Sequence, residues 1–180
     1  MKRIRFVVLT VFCIVSVVLY PKNLLAQNLD ETIEYINDLL KIHTYNLYIP
    51  ELDDGGRPYD VISVDSHGKL NVQRYVEFQK KGILEKGGLV YAYLKSLGMG
   101  AKKDYDHNPP QYDLYLVCLI GYPCVTVQGD SKDMGSITRN DFLFSVDNSD
   151  VRERLKNALS HLLELAKNNA AFYDKDPFSN

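Results

Sequence analysis

The 180-residue chain contains no tryptophan, only three cysteines and no excess of basic residues. So few cysteines exclude a disulfide-dense miniprotein, and a hydrophobic content of 46% excludes a disordered chain. The formal net charge of −2 leaves no basic footprint for a nucleic-acid partner. The absence of tryptophan weighs against a site that stacks on sugar rings. The length suits one domain that is large enough to bury a core.

Sequence motifs of several enzyme classes are also missing. The chain has neither the G-x-S-x-G elbow of serine hydrolases nor the G-x-x-x-x-G-K-[ST] loop that surrounds phosphates. None of its four histidines has a partner at the H-E-x-x-H spacing of zinc ligands. We therefore expect no cofactor, and each histidine is more typical of a surface or structural position.

Residues 1–26 have the order of an export signal. Three basic residues within the first five positions precede the uncharged run 6–20, and Ala26 provides a small residue before a cut at Gln27. The alternative is a retained membrane anchor, but the run is shorter than the about 20 apolar residues that a span needs. We expect export, to the periplasm or the medium. The segment holds four basic residues and no acidic one, so its removal would leave a net charge of −6.

Cys118 and Cys124 would be the two cysteines of the exported chain. Oxidising compartments usually close such a pair. Gly121 and Pro123 favour a turn between them, and a turn centred on Gly121 would place the cysteines opposite each other in a β-hairpin. One alternative is a reactive thiol with a histidine partner. Another is a redox-active thiol pair, but the C-x-x-C spacing that helps to tune one thiol pKa is absent. We predict a structural disulfide.

The remaining pattern predicts a helix, then strands, then a second helix. Apolar residues recur at helical spacing after Asn28, which fits a capping box with Glu31. The same spacing recurs near the end of the chain, after a cap at Asn148 or Asp150. Between the helices, alternation and turn residues predict strands. The predicted elements are a helix over 28–42, a hairpin over 60–75 that turns at Ser66-His67-Gly68, strands over 89–94, 113–120, 124–128 and 142–146, and a helix over 151–166.

Strands that lie between two helices, without alternating with them, argue against a doubly wound parallel sheet. We predict an α+β fold: a curved, mostly antiparallel sheet or partly closed barrel, flanked by an N-terminal and a C-terminal helix. Strand 124–128 is expected to return antiparallel to strand 113–120. A single domain would span 27–170, and 171–180 would form a frayed polar tail.

Three segments carry a resemblance to a known group. They are Glu31-Thr32-Ile33-Glu34-Tyr35-Ile36-Asn37, the hairpin motif Leu116-Val117-Cys118…Cys124-Val125, and Ala158-Leu159-Ser160-His161-Leu162-Leu163-Glu164-Leu165 followed by Asp176-Pro177-Phe178. These segments resemble small exported, uncharacterised proteins common in Bacteroidota. The resemblance implies a pleckstrin-homology-like β domain that is closed by a C-terminal helix. It transfers no catalytic residue, and such a fold would not by itself imply phosphoinositide binding.

The sharpest polar cluster contains Asp104, Asp106 and His107, which lie ahead of a Pro-Pro pair. Two carboxylates and an imidazole so close together are candidate ligands for a divalent cation. The alternative is a solvated loop, because the acid and the glycine that complete a calcium-loop pattern are missing.

Tyrosines are abundant and fall on or beside the predicted strands. Tyr91, Tyr93 and Tyr115 are candidate ligand-binding residues, because a tyrosine combines an apolar ring with a polar tip. Strand propensity explains the same residues without a ligand.

Three functional hypotheses follow. The first is a non-catalytic module that binds a protein, a peptide or a small ligand in the cell envelope, with no nucleic-acid partner and no membrane span after signal cleavage. The second is a small hydrolase or metal-dependent enzyme that uses Asp104, Asp106 and His107. The third is a thiol-redox protein that uses Cys118 and Cys124, and it ranks last.

Overall fold

The computed structural model describes residues 21–44, 47–49, 54–78, 82, 84–100, 112–119, 121–128 and 136–172. Helix α1 spans Pro21–Ile42 and starts earlier than predicted. Asn28 therefore lies inside the helix, where its carbonyl oxygen accepts a 2.6 Å hydrogen bond from the Thr32 hydroxyl. The capping box predicted at Asn28 and Glu31 is wrong, because a residue with a helical turn on either side does not cap.

Helix α2 spans Ser149–Asn168 and begins at the predicted cap. The Asn148 side chain accepts hydrogen bonds from the backbone N–H groups of Asp150 and Val151, which would otherwise have no partner inside the helix. The helix buries an apolar stripe that includes Leu155, Leu159 and Leu162. Within the described chain, neither helix has an apolar stretch long enough to cross a bilayer.

Six of the described strands form an antiparallel sheet, here called the large sheet, in the order β1-β2-β3-β4-β7-β8. Its strands are β1 (Leu47–Ile49), β2 (Asp54–Val64), β3 (Lys69–Phe78), β4 (Leu84–Tyr93), β7 (Val125–Gln128) and β8 (Ile137–Arg139). Its inner face carries Ile62, Leu70 and Ala92, which are buried.

Three further strands form the small sheet, in the order β5-β6-β9. They are β5 (Leu97–Met99), β6 (Tyr112–Cys118) and β9 (Asp141–Val146), and both pairings are antiparallel. Alternating residues of β6 and β9 are buried, Leu114 and Leu116 on one strand and Phe142 and Phe144 on the other.

The predicted α+β class, antiparallel pairing and flanking helices are confirmed. The described strands form two sheets and do not close into a barrel. The predicted return of strand 124–128 along strand 113–120 is wrong: β7 pairs with β4 and β8, whereas β6 pairs with β5 and β9. The segment after Cys118 turns a corner between the sheets, which a turn signal at Gly121 does not distinguish from a hairpin.

One hydrophobic core joins both sheets and both helices. It extends to Phe172, in a 3₁₀ turn over Ala170–Phe172. The Phe172 ring lies against Gly68, which has φ +72° and where an added Cβ would stand 2.7 Å from the ring. Residues 171 and 172 thus belong to the fold and not to a frayed tail, and residues 173–180 lie outside the described part.

Candidate functional site

A cleft of about 270 Å³ opens between the inner face of the large sheet and strand β9 of the small sheet. Its floor is a row of three valines, because Val72 of β3 is the register partner of Val90 of β4, which in turn pairs with Val127 of β7. Phe142 of β9 lies on the other side. We call this space the inter-sheet cleft. Its volume is slightly below the range of about 300–1,000 Å³ that is typical of ligand pockets.

Two adjacent glycines shape the wall that β4 contributes. Gly88 lines the cleft and leaves its space unfilled, since it has no side chain. The β3–β4 register shifts between Gln73 and Tyr75, and the Gln73 side-chain amide donates to the carbonyl oxygen of Gly87. This irregularity releases Arg74 from direct pairing with β4, as bulges commonly do for a side chain that is aimed into a site.

Asp60 and Arg74 form a bidentate ion pair at one end of the cleft. They are register partners on β2 and β3, so both side chains stand on the inner face. The Arg74 Nε and Nη2 atoms donate to the two Asp60 carboxylate oxygens, each at 2.9 Å. The Asp60 side chain is 8% exposed and that of Arg74 is 50% exposed. The pair lets a carboxylate occupy a buried position that would otherwise exclude it.

Arg139 and Asp141 line the same cleft on either side of Asn140, where the chain passes from β8 to β9. In the described part of the chain, neither side chain has an oppositely charged partner within 4.0 Å. Both charges are therefore open to a ligand. A guanidinium offers five donors in a planar fork that matches a carboxylate.

The Cys118–Cys124 disulfide joins the two sheets beside this site. Its sulfur atoms lie 2.09 Å apart and its Cα atoms 5.8 Å apart, so the predicted bridge is confirmed in the structure. Cys118 ends β6 of the small sheet, and Cys124 directly precedes β7 of the large sheet. The backbone N–H of Cys118 also donates to the carbonyl oxygen of Asn140 at 2.8 Å. The bridge and this bond hold together the strands that supply Val127 and Arg139.

The tyrosines named from the sequence lie outside this cleft. Tyr91 and Tyr93 alternate with buried Ala92 on β4, so they stand on the outer face of the large sheet, where the Lys69 ammonium lies 3.7 Å from the Tyr91 ring centre. Tyr115 alternates with buried Leu114 and Leu116 on β6, in the other sheet. A ligand role for these three residues stays a prediction.

Asp104, Asp106 and His107 lie outside the described residues, so the predicted metal loop stays a prediction. Among the described residues there is no group of three histidine, cysteine or acidic side chains that could hold a metal ion. Two histidines join elements: His43 Nδ1 lies 3.5 Å from the Asp147 carboxylate, and His161 Nε2 lies 3.4 Å from the side-chain oxygen of Asn28.

On the outer face of the large sheet, the pKa of the Tyr59 hydroxyl is shifted. Burial, and after it the nearby Glu77 carboxylate and Tyr75 phenol, raises the pKa of the Tyr59 hydroxyl above its usual range. The Tyr59 and Tyr75 rings stack with their centres 5.6 Å apart. This face therefore favours the neutral phenol.

Reasoning from the sequence missed the four charged residues of the cleft. For Asp60 and Arg74 a signal existed, because the predicted turn at Ser66-His67-Gly68 sets the hairpin register that places them opposite each other. Arg139 gave no such signal, because β8 is not among the predicted strands, and it reaches the valine row as the register partner of Val125 on β7. Asp141 meets the row through contact between the sheets. Comparisons with protein-family models, with curated proteins and with solved structures find no match for this chain.

Proposed function

We propose that this chain is a non-catalytic binding domain whose ligand lies in the inter-sheet cleft. The observation that supports it best is the combination of an apolar floor with a guanidinium at the rim that has no ion-pair partner among the described residues. Val72, Val90 and Val127 offer a continuous apolar strip, and Arg139 lies beside it without a carboxylate partner in the described chain. Such a site suits a ligand with an apolar group and a nearby anionic group.

The Asp60–Arg74 pair has a supporting role in this proposal. Both carboxylate oxygens of Asp60 accept bonds from Arg74, so the carboxylate is already engaged in a cross-strand contact. We assign the pair to holding the end of the cleft open, since neither side chain can collapse onto the valine row without breaking two charge-assisted bonds.

The proposal also includes export to the periplasm or the medium. The disulfide supports it, because such bonds persist in oxidising compartments. Likeness to the small exported proteins of Bacteroidota, with a pleckstrin-homology-like arrangement, is part of the same proposal.

Titration of isotope-labelled protein with octanoate tests the ligand site, because this probe has an apolar chain and one carboxylate. We expect the largest amide shifts at Val72, Val90 and Phe142. Arg139→Ala should weaken binding about tenfold, which is the loss of one charge-assisted contact worth about 1.4 kcal/mol.

Arg57→Ala is the matched control, because Arg57 lies on the outward-facing positions of β2. The affinity of the Arg57→Ala variant for octanoate should stay within about twofold of that of the parent protein. Shifts centred on the hollow between the helices, which Tyr35 and Arg154 line, would contradict the proposal. So would equal losses in the two arginine variants.

A further inference from the structure

β9 is an edge strand of the small sheet. One contact shows which of its main-chain groups bond to β6. Cys118 and Asn140 continue the β6–β9 register one residue past Val117 and Asp141. The Cys118 N–H donates to the Asn140 C=O, which makes them a hydrogen-bonded pair. Hydrogen-bonded and non-bonded pairs alternate along an antiparallel ladder. Phe142 and Phe144 therefore bond to β6, and the N–H and C=O groups of the alternate residues Asp141, Leu143 and Ser145 point away from it.

In the part of the chain that the structure describes, these outward groups have no hydrogen-bond partner. Among the described residues, the contact that closes this edge lies at its far end, where Asp147 N–H donates to His43 C=O at 3.1 Å. The open stretch thus runs from Asp141 to Ser145.

The part of β2 that extends beyond its pairing with β1 also has a side without a strand partner, and this side differs from the edge of β9. The Asn37 side chain from α1 both donates to Ile62 C=O, at 3.0 Å, and accepts from Ile62 N–H, at 2.7 Å. Thr44 donates its hydroxyl to Pro58 C=O. Side chains within and just after α1 thus occupy main-chain groups at two positions of this edge, Ile62 and Pro58, as proteins commonly do to prevent unwanted strand pairing. β9 has no such cover among the described residues.

The open edge of β9 lies along the inter-sheet cleft, since Asp141 and Leu143 both line it. Beyond them the space narrows to a hollow of about 10 Å³ between Ser145, Thr44 and Asp60. An added chain thus has room beside Asp141 and Leu143, which are two residues apart and span about 7 Å of strand.

We propose that the ligand of the cleft is an extended peptide that adds a strand to the edge of β9. This inference rests on the proposed function and names its ligand class. The peptide main chain bonds to the outward groups of Asp141 and Leu143. An apolar side chain of the peptide lies on the valine row, and an acidic residue pairs with Arg139. Main-chain bonds supply affinity and the side-chain sites supply selectivity, as in other cases of strand addition.

The test uses the peptide acetyl-Glu-Leu-Val-Leu-amide and two analogues. One analogue carries N-methyl groups on its first and third residues, the other on its second and fourth. Only alternate N–H groups of an added strand face its neighbour, so one analogue should bind at least tenfold more weakly than the parent peptide. The other should stay within about threefold of it.

Hydrogen exchange supplies a second readout on the protein side. Bound peptide should slow amide exchange at Leu143 at least tenfold and leave Phe142 and Phe144 almost unchanged, because those two already bond to β6. Leu143→Pro removes the outward donor and should weaken peptide binding, whereas Leu143→Ala, its control for the lost side chain, should keep most of it. If the proline variant does not fold, the methylated peptides decide.

The outcomes separate the two proposals. If both analogues bind as tightly as the parent while octanoate still shifts the valine row, the cleft binds ligands and strand addition is wrong. If neither octanoate nor the peptides shift the cleft, both proposals fail. Loss of binding in one analogue only, with slowed exchange at Leu143, supports both.

Discussion

The two halves of the inner face of the large sheet differ in what covers them. At one end Ile62 and Leu70 are 1% and 0% exposed beneath the helices. At the other end the same strands carry Asp60 and Arg74, and the face opens into the inter-sheet cleft. We call the first end the covered half and the second the open half. The β2–β3 register runs unchanged through both halves, whereas the β3–β4 register shifts beside Arg74 in the open half. Because the same β2–β3 pair is core at one end and lines a cleft at the other, the covering element decides where this face becomes core.

Helix α1 sets the boundary between the halves. Asn37 ties the helix to β2 at Ile62, and the helix ends at Ile42. Past that point Thr44 contacts the β2 backbone at Pro58, and the face beyond has β9 opposite it. A polar pair is tolerated there because the covering is incomplete and Arg74 reaches solvent.

The largest effect should come from a cavity in the covered half. Ile62→Ala should lower the free energy of unfolding by about 2–5 kcal/mol, because a fully buried side chain leaves a void that helix and sheet cannot fill. Urea unfolding at equilibrium measures it. Val61→Ala is the matched control on the opposite face of β2 and should cost less than about 1.5 kcal/mol. Equal losses would show that the two faces of the strand do not differ as described.

Removal of Arg74 and removal of Asp60 should lower the free energy of unfolding by unequal amounts. Arg74→Ala leaves the Asp60 carboxylate, which is 8% exposed, without its ion-pair partner. This variant should lose about 3 kcal/mol of unfolding free energy, as is typical when one partner of a buried pair is removed. Asp60→Ala leaves a half-exposed guanidinium that water can solvate and should cost about 1–2 kcal/mol. The same urea measurement gives the order. The reverse order would mean that Asp60 is not the buried partner.

Reduction of the disulfide should loosen the open half more than the covered half. By closing a short loop, the disulfide lowers the entropy of the unfolded chain and so stabilises the fold by on the order of 2 kcal/mol. Its removal also frees β7 from β6, so amide exchange should accelerate more at Val127 than at Leu70. The Cys118→Ser, Cys124→Ser double variant should show the same change and should not respond further to reductant. A uniform change at both sites would contradict a local role.

The smallest effect should appear at high pH on the outer face. The pKa of Tyr59 is raised in the fold, so the folded state holds this proton more tightly than the unfolded chain. That contribution is complete below the ordinary tyrosine pKa of about 10 and is lost as pH rises through the raised value. Tyr59→Phe should therefore lose less stability than the parent above pH ~10. Tyr122→Phe, at a position 76% exposed, is the control and should follow the parent.

Several local features were predictable because neighbouring residues decide them. Asn148 caps α2 through its own side chain, and the turn at Ser66-His67-Gly68 joins β2 to β3. The cysteine pair was predicted correctly but for an incorrect reason, since the bridge spans a corner between sheets and not a hairpin. Short separation along the chain brings two cysteines close in either geometry.

The cleft depends on contacts between distant parts of the chain. Alternation defines which residues of a strand share a face, but the partners of β6 and β7 depend on how both sheets bury their apolar faces at once. The meeting of Arg139 with the valine row follows from that arrangement.

The sequence by itself determined the α+β class, the amphipathic helices, the first hairpin and the cysteine pair, because periodicity, caps and turn residues act within a few positions. Only the tertiary structure decided the division into two sheets, the burial of Asp60 beside Arg74 and the open edge of β9. These depend on which faces and edges other elements cover, and that is settled by the burial of the whole core and not by any local segment.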